Sequence, residues 1–251
     1  MADQDHGTLK GKVALVTGAS RGIGAAIATR LAQDGAAVAI TYSSSPEKAK
    51  DLVAAISRTG GKAIAIQADS ADPVAVRNAV QATVAQLGGI DILVNNAGVA
   101  TMAPIGDFAE KDFNRALDIN VRGVFFASQE ASKHMKSGGR IIMIGSVNSD
   151  SIPFPGASVY TLTKGAVAGF TRGLARDLGP RGITVNNIQP GPVDTDLNPA
   201  DGPFSSTLKG FLAVGRYGTG EEIAGLVAYL ASPEAAYITG AQIKIDGGFA
   251  A

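Results

Sequence analysis

Short apolar runs alternate with longer segments of helical period, and a glycine-rich turn joins the first run to the first helix. Together with glycine or proline punctuation between units, this predicts an α/β fold: a doubly wound parallel sheet of about seven strands, covered by helices on both faces. The 251 residues suit one large domain, and 45% hydrophobic content is ample for its core. No linker or low-complexity segment interrupts the chain, so residues 1–10 are read as a flexible tail and 11–251 as a single domain.

The elements follow in order. Val13-Ala14-Leu15-Val16 is a continuous apolar strand, 23–31 a helix and 37–40 a second strand. Serines and a proline start the next helix at 46–56, and Gly60-Gly61 stops it. Strand 63–66 comes next, then a helix after Asp72-Pro73 with Val76, Val80, Val84 and Leu87 on one side, ended by Gly88-Gly89. Residues 90–94 form a fourth strand. Two long helices, at about 111–136 and 158–178, flank the strand 140–144 and the loop bearing Ser146. The first has Phe113, Leu117, Val121 and Val124 in register. The second is rich in small residues such as Gly165, Ala166, Ala168 and Gly169, which permit close packing on a partner subunit or on the chain's own sheet. Strand 183–188 leads to Gln189-Pro190-Gly191-Pro192. From about 194 to 219 the alternation breaks, and Phe204, Leu208, Phe211 and Leu212 suggest a short helix with an apolar face inserted in a loop over a pocket. A helix at 221–231 and a strand at 241–245 complete the chain.

Composition narrows the function. The 22 basic and 22 acidic residues cancel without forming blocks, so no long-range field favours nucleic acid or an anionic membrane. Absence of cysteine removes disulfides, thiolate metal sites and cysteine nucleophiles. His6 and His134 lie in a polar tail and a Lys-rich helix end, are expected at the surface, and have no partner at metal-ligand spacing, so no metal is expected. The acidic opening 1–7 lacks the basic start and apolar core of a secretion signal, and no apolar run approaches the ~20 residues that span a bilayer. A cytoplasmic protein is the expectation.

Thr17-Gly18-Ala19-Ser20-Arg21-Gly22-Ile23-Gly24 stands between the first strand and the first helix. Such glycines let backbone amides at a helix N-terminus approach a dinucleotide pyrophosphate, a Rossmann-type arrangement, although tight strand-to-helix turns also need glycine. An acid about 20 positions on usually accepts from the free 2′-hydroxyl of NAD. Here Thr41-Tyr42-Ser43-Ser44-Ser45 comes instead, and Glu47 is the first acid. A 2′-phosphate would meet no carboxylate there and could find Arg21 with Ser43 or Ser44, so NADP(H) is preferred over NAD(H). The serines also make a good helix start, and Arg21 also fits a solvated loop.

The chemistry centres on Tyr160 and Lys164, one helical turn apart, with Ser146 fourteen positions before the tyrosine. A phenol titrates near ~10, and bringing it to 7 takes roughly 4 kcal/mol of preference for the phenolate. One cation about 4 Å away at an effective dielectric near 20 supplies that order of energy. By itself the spacing equally suits the edge of an ordinary amphipathic helix.

In one order the chain carries Thr17 to Gly24, Asn95-Asn96-Ala97-Gly98 after the fourth strand, Asn120, Ser146, Tyr160 with Lys164, and Pro190-Gly191. In this it resembles the short-chain dehydrogenase/reductase family in its compact form, from Gly11 to Gly248, with the bacterial 3-oxoacyl-carrier-protein reductase type as the nearest flavour. The resemblance implies an oxidoreductase that moves a hydride between nicotinamide and a ketone or secondary alcohol. Tyr160 would be the general acid/base, and Lys164 would lower its pKa and hydrogen-bond the nicotinamide ribose. Ser146 would hold the substrate oxygen, and Asn120 a water linking Lys164 to solvent. For the cofactor it implies Gly18, Ser20, Arg21, Gly22, Ile23 and Gly24 at the pyrophosphate turn, Tyr42, Ser43 and Ser44 by the ribose, and Asp69 at the adenine. Asn95, Ala97 and Gly98 would wall the adenosine side, with Pro190, Gly191, Val193 and Thr195 at the nicotinamide. Taken separately, Asn95, Asn96 and Asn120 also fit backbone bracing, and Asp69 a strand-end cap. Relatives pair through the long helices and the last strand, so a homo-oligomer, dimer or tetramer, is implied.

Ser146 to Tyr160 is one residue longer than the family's common spacing, and Gly145 replaces a frequent serine. Asn148 and Phe154, with Pro192, are placed on the substrate side. With modest charge at Lys133 to Ser137, a free small ketone, diketone or quinone is favoured at least as much as a carrier-bound acyl chain. Two other functional classes share some of these features. A nucleotide-binding regulator, for example of a cyclic dinucleotide, would not need Asn120, Ser146, Tyr160 and Lys164. A Ser-His-Asp hydrolase lacks its histidine and its elbow.

Overall fold

The computed structural model describes residues 7–251; His6 and nearly all of the acidic opening lie outside the described residues. Among these residues seven strands form one all-parallel sheet. Chain order is β1 (Val13–Val16), α1 (Gly22–Gln33), β2 (Ala37–Tyr42), α2 (Pro46–Arg58), β3 (Lys62–Gln67), α3 (Pro73–Leu87) and β4 (Ile92–Asn95). There follow α4 (Glu110–Leu117), α5 (Val124–His134), β5 (Arg140–Ile144), α6 (Ser158–Leu178), β6 (Thr184–Pro190), α7 (Ser205–Gly210), α8 (Gly220–Ala231) and β7 (Gln242–Ile245).

Strand alternation explains why both faces are apolar. On β1, Ala14 and Val16 point to one face and Leu15 to the other; Val38 and Ile40 on β2 oppose Ala39 in the same way. The first face receives Ile27 and Leu31 of α1 and Ile223, Val227 and Leu230 of α8. The second receives Val76 and Val80 of α3, Ala127 and Ala131 of α5, and Val167 and Leu178 of α6. Each large aliphatic side chain fully buried in this way contributes roughly 1.5–3 kcal/mol. Helix ends follow local chemistry. Asp72 Oδ1 accepts from Val74 N at 2.8 Å, Pro73 opens α3, and Gly88 closes it at φ 92°. Thr219 and Glu222 form a capping box that starts α8.

Two sequence expectations need correction. The flexible tail does not reach residue 10, because Leu9 is buried at 1% exposure in the first core face and its amide donates to Asp34 O at 2.9 Å. The expected helix 111–136 is interrupted by a π-helical stretch, Asp118–Gly123, between α4 and α5. At its end a β-carbon on Gly123 would collide with the Ser70 carbonyl oxygen, so the helix crosses that loop at backbone contact. The buried side of this helix carries Ala116, Ile119, Asn120, Val124 and Ala127, while Phe113, Leu117 and Val121 stay half-buried.

Candidate active site

The strand order runs β3-β2-β1-β4-β5-β6-β7, so the sense in which successive strands are added reverses between β1 and β4. The space beyond the carboxyl ends of these two strands is the usual ligand position in such sheets. The turn after β1 and the turn after β4 are laced together across it. Asn96 N and Ala97 N each donate to Thr17 Oγ1 at 3.0 Å, and Asn96 Nδ2 donates to Thr17 O at 2.9 Å and Gly18 O at 3.1 Å. Gly18 N donates to Thr41 Oγ1 at 2.9 Å. Gly18 has φ 62°, and a β-carbon there would lie 2.8 Å from Ala97 Cα; at Gly24 it would lie 2.8 Å from Ala19 Cα and 2.5 Å from Asn96 Nδ2. The turn therefore needs these glycines for closeness as well as for conformation. Arg21 precedes α1 in extended conformation and no side chain caps the helix, which leaves first-turn amides to hold an anion. An uncapped, glycine-lined helix start fits a dinucleotide pyrophosphate.

Around it the other expected cofactor residues divide. Ser20 and Ile23 lie half-buried in the turn, Tyr42 ends β2, and Ser43 and Ser44 are exposed beyond it. The Thr195 methyl carbon would lie 3.4 Å from a Gly22 β-carbon, so the loop after β6 arches over the glycine turn beside Pro190, Gly191 and Val193. Arg21 Nη1 stands 3.9 Å from Asp196 Oδ2 of that loop, and Lys48 Nζ lies 2.8 Å from the same oxygen. Asn95 does not join this site: its buried side chain donates to Ser128 Oγ at 3.1 Å and contacts Met143 Sδ at 3.2 Å. Ala97 and Gly98 remain on the site's side, half-buried and exposed. Asp69 accepts from Ala71 N at 3.0 Å and is gripped by both guanidinium nitrogens of Arg115, at 3.0 and 3.2 Å.

The catalytic candidates converge at the ends of β5 and α6. Ser146 follows β5, is buried, and its Oγ accepts from Asn148 N at 3.1 Å. Its hydroxyl lies near enough to the Tyr160 phenol to favour the phenolate. Lys164 Nζ donates to Ile144 O at 2.9 Å and lies 5.7 Å from the Tyr160 ring centre. Burial pushes the phenol of Tyr160 up, opposed in part by the Ser146 hydroxyl, and pushes the Lys164 ammonium down to about 8. Both groups are thus desolvated, with the Lys164 ammonium held by a backbone carbonyl. Asn120 braces the loop after β4: its Oδ1 accepts from Val99 N at 2.9 Å, and its Nδ2 donates to Val99 O at 2.9 Å and Thr163 Oγ1 at 3.0 Å. Thr163 Oγ1 in turn donates to Tyr160 O at 2.7 Å.

Beside Ser146 the residues Val147, Leu212, Tyr217 and Phe249 cluster with Phe154 and Leu208, while Asn148 is buried and Pro192 half-buried. Sequence reading missed Thr41, Lys48, Thr163 and Arg115. Only Lys48, a cation just past the serine run, gave a local signal; the others act across 23 to 46 residues of chain. No group of three or more histidine, cysteine, aspartate or glutamate side chains suited to a metal occurs among the described residues, and no helix among them is long and apolar enough to cross a membrane.

A family model described as Enoyl-(Acyl carrier protein) reductase matches residues 18–250. A short-chain dehydrogenase/reductase from Serratia marcescens is 58% identical with TM-score 0.96, over 97% of this chain and 100% of that one. A short chain dehydrogenase from Burkholderia cenocepacia in complex with NADP is 53% identical with TM-score 0.96 and the same coverage. The cyclic-di-GMP-binding biofilm dispersal mediator protein of Escherichia coli is 48% identical over 245 residues, 98% of this chain and 100% of that protein. The chain thus belongs to the short-chain dehydrogenase/reductase family, in its compact, single-domain form.

Proposed function

We propose that this protein is an NADP(H)-dependent oxidoreductase that interconverts a ketone and a secondary alcohol, with Tyr160 as the proton donor. The observation that carries the reading is the meeting of Ser146, Tyr160 and Lys164 beside an uncapped glycine-lined helix start. When bound, the nicotinamide supplies the hydride. The protein's part is to hold the cofactor through the amides of α1, to place the carbonyl oxygen on Ser146, and to deliver a proton. A phenol pushed up by burial is neutral at pH 7, which is the form a reductase needs. As the proton leaves, Lys164 stabilises the phenolate that remains, and the Ser146 hydroxyl donates to the oxygen on which charge builds. Arg21 and Lys48 supply two cations for a 2′-phosphate. The apolar cluster beside Ser146 suits a free ketone, diketone or quinone.

The relative that binds cyclic-di-GMP gives a second reading, a nucleotide-binding regulator on the same fold. Calorimetric titration with NADPH, NADH and cyclic-di-GMP, beside an NADPH-oxidation screen over ketones, diketones, quinones and acyl thioesters, separates the two. NADPH binding with turnover of at least one carbonyl is expected. Tight cyclic-di-GMP binding without NADPH turnover would reverse the order.

A further inference from the structure

The carboxylate of Asp69 is held far more firmly than a strand-end acid needs. Arg115 Nη2 and Ala71 N both donate to Oδ1, at 3.2 and 3.0 Å, and Arg115 Nη1 donates to Oδ2 at 3.0 Å. An ionised carboxylate offers about four acceptor sites, so this frame fills three and leaves one, on Oδ2. The helix that provides Arg115 also touches the same loop again: after the π-helical stretch, Gly123 packs on the Ser70 carbonyl oxygen at a distance no β-carbon tolerates. Residues 69–71 are thus gripped at two points by one helical run.

An exposed ion pair of this kind adds little to stability, since Asp69 and Arg115 side chains retain 44% and 47% of their exposure. What a bidentate arginine adds is direction. The terminal torsion of an aspartate is broad, and a two-bond fork fixes the plane of the carboxylate.

We propose that Arg115 is a positioning residue for adenine recognition, orienting Asp69 so that its one free acceptor site receives the 6-amino group of the cofactor's adenine. This rests on the reading above that Asp69 approaches the adenine. A carboxylate so held accepts from an amine and repels a 6-oxo group, and Arg115 balances its charge where the base docks. Without the guanidinium, the carboxylate turns toward water and its preference for an amine fades.

The test compares dissociation constants of NADPH and its deamino analogue, in which hypoxanthine replaces adenine, by fluorescence titration of wild type, Arg115→Gln, Arg115→Lys and Asp69→Asn. A hydrogen bond to a charged group is worth about 1.5 kcal/mol or more, so wild type is expected to favour NADPH by roughly tenfold. Arg115→Gln is expected to lose most of that preference by weakening NADPH alone, and Arg115→Lys to keep part of it. Unchanged melting of Arg115→Gln, within about 2 °C, would accompany this. If Arg115→Gln weakens both ligands equally, or neither, the proposal is overturned. Should Asp69→Asn abolish the preference while Arg115→Gln keeps it, adenine reading by Asp69 stands and the role of Arg115 falls. No preference in wild type would remove both. If Arg115→Gln does not fold, the ratio in Arg115→Lys decides: full wild-type preference there, where a fork cannot form, contradicts the proposal.

Discussion

Burial moves Tyr160 and Lys164 in opposite directions, and their pH behaviour follows from that. The phenol is pushed up and stays protonated at neutral pH, while the ammonium is lowered from 10.5 to about 8. Reduction needs Lys164 charged, so its kcat/KM is expected to fall, about tenfold per pH unit, once pH passes about 8. Stability has the same origin. The folded lysine binds its proton less tightly than the unfolded one, so the cost is present in full below about 8 and is relieved as pH rises toward 10.5. Denaturation midpoints of wild type and Lys164→Met, measured between pH 7 and 10.5, should show wild type gaining on the variant across that window; a constant gap would contradict the assignment. That Ser146, Tyr160 and Lys164 lie together was legible from the ordered set of motifs that carries the family resemblance, since the spacing alone equally suits a helix edge. Asn95 was not, since its turn into the core is decided by Ser128 and Met143, 33 and 48 residues away. Nor could spacing show that burial raises the phenol of Tyr160.

At the scale of elements, the strands and most helices were read within a few residues because apolar runs and punctuation fix them locally. The π-helical stretch 118–123 left no mark in the periodicity, and its close approach to the Ser70 carbonyl involves a loop far away in the chain. The same holds for β3: its run resembles the others, yet it lies at the sheet edge with its core positions half-buried. Close approach makes a direct prediction at the glycine turn. Gly24→Ala places a methyl 2.8 Å from Ala19 Cα, and overpacking of this kind costs about 1–3 kcal/mol. Both the melting temperature and the NADPH affinity should fall, because α1 must shift away from the glycine turn. Gly89→Ala, where a β-carbon meets nothing within 4 Å, serves as the control and should leave both in place.

For the whole molecule, two apolar features of the isolated chain ask for a partner. Phe125, 41% exposed, stacks with Phe126 and Phe170 on the outer side of α5 and α6, and Leu162 lies open on α6. The edge of β7 is only half-buried. We propose that copies of the chain associate through these surfaces. Light scattering should give a mass that is two or four times 25.4 kDa, and a purely monomeric particle would count against it. Whatever the assembly, the proposed reduction turns on the Tyr160 phenol. The direct measurement is Tyr160→Phe with the best carbonyl from the NADPH screen, recording NADPH affinity and turnover on the same sample. Loss of turnover by about 10²–10⁴-fold with affinity held within about threefold is the expected result. Turnover that survives the loss of the phenol, with binding intact, would contradict it.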